Sequence, residues 1–156
     1  MGLDNIPREY PCKVANEAIM VKEVVSKEGG GTKTIKKIDC DATQRMNRCT
    51  WKKSAPSEGK VNGMFGTSCW YRGKYGNYLL EVLDIQDQTF YGEDTFGDGG
   101  EGLSPESCIR LATTMREKME RLTPEDEGFN LLPDMEYAAW WLEFVADKAY
   151  GSSVWY

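Results

Sequence analysis

The chain contains no histidine. That absence removes the side chain that most readily shuttles protons near neutral pH, and with it serine–histidine and cysteine–histidine nucleophile pairs and histidine metal centres. Carboxylate-pair chemistry remains open in principle, with Glu93, Asp94, Asp98 and Glu101 as its candidate groups. Nothing in their spacing separates them from solubilising acids, so the balance is against catalysis, and a metal-dependent hydrolase is the weaker alternative. No run approaches the roughly 18 to 20 apolar residues of a membrane helix. Residues 1–9 lack the apolar stretch and cleavage site of a secretory signal. Gly2 follows Met1, but Ile6 stands where the myristoylation pattern wants Ser or Thr. These absences point to the cytosol, where thiols are kept reduced, and away from a membrane partner. There is no internal repeat, and no low-complexity run beyond Gly29-Gly30-Gly31.

What is present is ordinary globular material. The chain has 156 residues, 40% of them hydrophobic and 28% charged, enough for one domain with its own core. The net charge of −6 conceals a split. Residues 1–78 hold 14 lysines and arginines against 8 acids, whereas residues 79–156 hold 5 against 17. One domain with mutually attracting faces accounts for this; alternatively, an anionic ligand docks on the first half. The acidic second half argues against a long nucleic-acid duplex as partner, because phosphate neutralisation dominates that affinity.

The expected architecture is α+β: an antiparallel sheet of four to five strands packed by two C-terminal helices. A single domain over residues 1–156 divides into a strand-rich basic part (1–91), an acidic loop (92–103), a helical part (104–150) and an aromatic tail (151–156). Residues 18–25 and 33–39 read as a hairpin turning on the glycine triplet. Further strands are expected at 61–65, 78–85 and 89–91. Ser104-Pro105-Glu106 signals a helix start, and Cys108, Leu111, Ala112, Met115, Met119 and Leu122 recur at helical spacing up to Thr123-Pro124. Asp134 is expected to cap a second helix running to about Ala149, apolar on more than one side and stopped by Gly151. The tail, which ends in Trp155 and Tyr156, is expected to dock.

Cys12, Cys40, Cys49 and Cys69 lie in the first half, and Cys108 stands apart. Four thiolates can complete a tetrahedral zinc site, but no two of these cysteines have the close knuckle spacing of most structural sites. Buried thiols acting as small hydrophobes, a zinc site at Cys12, Cys40, Cys49 and Cys69, and disulfides all stay open. The densest segment is residues 63–77, which gathers Trp70, Tyr71, Arg72, Lys74, Tyr75 and Asn77 among glycines. Flat rings stack on a base, cations meet phosphate, and glycine lets backbone N–H groups approach an anion. The segment matches neither the phosphate-loop pattern nor the dinucleotide fingerprint. Its structural alternative is a tight connection whose rings pack on the sheet. The acidic loop does not follow calcium-loop spacing and reads as solvated, though its carboxylates can accept hydrogen bonds from ligand sugar hydroxyls.

The segments GLDNIPREYPC, DCDAT with the later CTW, FGTSCWYRGKYGN and YAAWWLEFVADKAYGSSVWY together resemble small proteins of tailed bacteriophages and actinobacteria that carry no assigned activity. The resemblance transfers no site residue. It implies a bacterial or phage-infected setting, where small proteins often sequester a signalling nucleotide or block a host protein. Two function classes follow: a non-catalytic module holding a small anionic, nucleotide-like ligand near residues 63–77, or an interaction module, cysteine–zinc stabilised or not, that docks a host protein.

Overall fold

A computed structural model of the chain describes residues 4–16, 19–39, 55–56, 64–65, 70–85 and 102–155. The chain is α+β, as expected, but its strands divide between two antiparallel sheets. The first is built from β1 (Asp4–Pro7), β4 (Met64–Phe65), β5 (Trp70–Arg72) and β6 (Ser152–Trp155), in the order β4-β5-β1-β6. The second is only the hairpin of β2 (Met20–Ser26) and β3 (Thr32–Ile38). The hairpin forms where the glycine triplet and its flanking segments placed it, with Gly29, Gly30 and Gly31 all at positive φ. Among the described residues it does not join the larger sheet.

The expected strand at 78–85 is instead the end of a helix. After the short α1 (Pro11–Val14), helix α2 spans Gly73–Val82. Leu79, Leu80 and Leu83 are buried while Tyr78 and Glu81 face outward, a helical periodicity that the compact run YLLEVLDI disguised. Leucine also propagates helix well, and only Val82 and Ile85 in that run are β-branched. The helix ends with Asp84 at φ 54, and Lys118 Nζ donates to the Asp84 carbonyl at 2.9 Å, a cation at the negative end of the dipole. Expected strand residues 61–63 and 89–91 lie outside the described residues, and only Met64–Phe65 of the third expected strand is described.

Helix α3 (Pro105–Met119) begins as its start signal requires, with Ser104 Oγ accepting the Ser107 N–H at 3.2 Å and Glu106 in the first turn. A 3₁₀ turn (Glu127–Leu131) then leads into α4 (Leu132–Lys148). Asp134 lies in the first turn of α4 but does not cap it; the helix starts two residues earlier, with Pro133 where no N–H is needed. The start of α3 lies against the end of α4, so the two form an antiparallel hairpin, the main body of the core. Trp141, Leu142 and Val145 are at most 1% exposed, and Tyr137 and Phe144 are buried on the flank, so α4 is enclosed on more than one side. Full burial of each such side chain contributes about 1.5–3 kcal/mol. Arg116 of α3 bridges two turns of α4, with Nε 2.5 Å from Glu143 Oε1 and Nη1 2.8 Å from Glu136 Oε2. Those partners hold its guanidinium above the ordinary pKa, Glu143 first.

The tail docks, as expected, and does so as a strand. Ser152–Trp155 pairs antiparallel with β1, setting Ser153 opposite Ile6 and Trp155 opposite Asp4. Gly151, at φ +95, makes the exit from α4 while its N–H returns to Val145 O at 2.8 Å. A Cβ there would stand 2.3 Å from Leu103 O, and one on Gly102 would stand 2.1 Å from Ser152 O. Two backbone segments cross at these glycines with no room for a side chain. No described helix is long and apolar enough to cross a membrane.

Candidate functional site

Strand β5 passes into α2 without an intervening residue, so Arg72 ends the strand and Gly73-Lys74-Tyr75 opens the helix. The first turn of any helix leaves backbone N–H groups without intrahelical partners and carries the positive end of the dipole. In α3 and α4 that end is met by Glu106 and Asp134. The first turn of α2 contains no acid and one cation, Lys74. No acid of this turn meets the dipole's positive end, and an anion there would complement it.

The surroundings set limits on that turn. Asp4 stands opposite Arg72 in the β1–β5 register, and Asn5 stands opposite Tyr71. The Tyr75 hydroxyl donates to Asp134 Oδ2 and ties the opening of α2 to that of α4. The Tyr75 ring is half-buried, with its centroid 6.0 Å from that of Tyr78. Tyr75 thus forms part of the wall of this junction. Trp70, Tyr71, Arg72, Lys74 and Asn77 are placed by their backbone on β5 and on the first turns of α2.

Sequence reasoning overlooked Asn5. It is 1% exposed, yet among the described residues neither its Oδ1 nor its Nδ2 has a hydrogen-bond partner. A buried amide left in this state costs roughly 1–3 kcal/mol for each unmet group, and such groups call for an occupant or a role. The four residues Asp4-Asn5-Ile6-Pro7 offered no periodic signal, and only the pairing with Tyr71 gives Asn5 its position beside the α2 opening.

Cys12 is in the core, 0% exposed, and Cys40, Cys49 and Cys69 lie outside the described residues. Among the described residues no group of three or more His, Cys, Asp or Glu side chains is arranged to hold a metal ion. Glu93, Asp94, Asp98 and Glu101 also lie outside them. Cys12 and Cys108 carry thiols and not disulfides. Cys108 sits under the crossing of the tail, donating to Leu103 O at 4.0 Å. Burial pushes its pKa up to about 11 despite hydrogen bonding from Ser152, which makes it a poor nucleophile. Arg8 closes the crossing, with Nη2 3.4 Å from Leu103 O and 3.3 Å from Ser152 O. That cluster is a structural clasp.

Among the described residues, two hollows lie on the helical hairpin. One, of about 540 Å³, runs between the start of α3 and the end of α4, over Pro105, Ile109 and Ala146. The other, of about 250 Å³, lies at Arg116, Met119, Glu120 and Glu136. Neither is lined by a residue that the sequence offered as a ligand, metal or catalytic candidate. No protein-family model, curated protein or solved structure matches the chain.

Proposed function

We propose that the chain is a non-catalytic binding module that holds a small anionic, nucleotide-like ligand at the junction of β5 and α2. The observation that carries this reading is the acid-free opening of α2, where a helix N-terminus with Lys74 in its first turn follows directly on a strand that ends in Arg72. In this reading the phosphate lies on that turn, and Trp70 or Tyr71 supplies a face for a base. Asn77, one turn further on, and the unmet amide of Asn5 supply polar contacts. Tyr75 acts through position, as the link to Asp134.

The test is a thermal shift with mononucleotides, cyclic nucleotides and ADP-ribose derivatives. Ligand at a hundredfold its dissociation constant adds about 2.7 kcal/mol to stability. In a domain of this size that raises the melting temperature by roughly 5 to 10 °C. Lys74→Glu should abolish the rise while leaving the ligand-free melting temperature unchanged or higher, since an acid suits that end of the helix. Asn5→Leu should stabilise the ligand-free protein and weaken the rise. Absence of any shift at millimolar concentrations of all three ligand classes would sink the reading.

A further inference from the structure

The β2–β3 hairpin stands away from the body. Its base is held by Ile38, which packs on the core, and by the Asp39 N–H donating to Ile19 O at 2.8 Å. Beyond that base, β3 is exposed from Thr32 to Lys37, and Met20, Val24 and Ile35 are 52%, 65% and 38% exposed. A two-stranded hairpin exposed on both faces is marginal in water by itself, so a partner is implied. The register places Lys22 directly opposite Lys36, on the face that also carries Met20 and Val24. Among the described residues neither lysine makes an ion pair, and like charges set opposite each other weaken a hairpin. Residues 20–38 hold five lysines against two glutamates.

The opposite chemistry stands at the turn between α3 and α4. Glu117, Glu120, Glu125, Asp126 and Glu127 are all exposed there, interrupted by Lys118 and Arg121. Leu122 and Phe129 lie half-buried among them, so the turn has apolar as well as anionic surface. We propose that the hairpin is an arm that docks on the acidic α3–α4 turn of a second copy of this chain. The exchange is reciprocal, each arm meeting the other's turn, so it closes as a two-fold dimer. Pairing of arm with arm along their edges is opposed by the excess of lysine on both. A nucleic-acid duplex is opposed by the 17 acids of residues 79–156.

Mass measured by light scattering at about 50 µM protein and low salt tests this, since attraction between exposed charges is screened within about 10 Å at 0.1 M salt. The wild-type chain should be a dimer that dissociates as salt rises to about 0.5 M. Lys22→Glu with Lys36→Glu should weaken association at least tenfold, with an unchanged circular dichroism spectrum because the arm stands off the core. Glu120→Lys with Glu125→Lys should do the same. Mixing these two monomeric variants should restore a mixed dimer, because both exchanged contacts regain opposite charges. A wild-type monomer at low salt overturns the proposal. So does a dimer indifferent to both variants, failure of the mixture to associate, or a monomer whose arm lysines protect a DNA duplex instead.

Discussion

Cys108 illustrates how little a residue's type says about its chemistry. It lies near the N-terminus of α3, a setting that ordinarily activates a thiol, yet desolvation beneath the tail outweighs every favourable contact. In the unfolded chain the thiol titrates near its ordinary 9.0, whereas in the fold it keeps its proton to about 11. Between those values the unfolded state binds fewer protons, so stability is full below about pH 9 and declines as pH rises toward about 11. The decline in melting temperature over that window should be smaller in Cys108→Ala than in the wild type, and parallel slopes would refute it. At pH 8 the native thiol should also resist aromatic disulfide reagents that label it at once in denaturant. Asn5 makes the complementary point: its identity in a four-residue strand suggested nothing, and only its enclosure without a partner makes it a candidate.

At the scale of elements, what could be read in advance depended on whether the local signal was also the deciding one. Helix α3 was legible because Ser104, Pro105 and Glu106 act within their own turn. Replacing Ser104 with Ala should cost about 1 kcal/mol, seen as a lower urea midpoint with an unchanged slope. A midpoint shift near zero would mean that Ser107 finds another acceptor. The β2–β3 hairpin was legible for the same reason, its turn being written in three glycines. Helix α2 was not, because Tyr78-Leu79-Leu80 and Val82-Leu83 form a run whose period is ambiguous, and the decision comes from packing against the core. Strands β1, β5 and β6 have four residues or fewer, too short for any alternation to register, and long-range pairing alone defines them. The candidate site was half legible on the same grounds. Its cations and rings stand out in composition, but their placement at a helix opening follows from a strand and a helix that the sequence did not disclose.

For the whole molecule, the crossing of residues 102–104 with 151–152 decides whether sheet and helices form one body. Ser152 N–H donates to Leu103 O at 3.0 Å, and Leu103 N–H donates to Ser152 Oγ at 3.2 Å. Gly102→Ala, with a Cβ 2.1 Å from a backbone oxygen and φ at +77, should force these segments apart. The expected loss is roughly 3 kcal/mol or more in denaturant unfolding, with faster hydrogen exchange at Ser152, Ser153 and Val154. Unchanged exchange there would show that the crossing yields without releasing β6. The same arrangement imposes an order on biosynthesis. The strand Asp4–Pro7 is translated well before its partner Ser152–Trp155, so the flank that the latter covers stays open for on the order of ten seconds. Through that interval the nascent chain presents a bare strand edge beside the amide of Asn5, a natural stretch for a chaperone to hold.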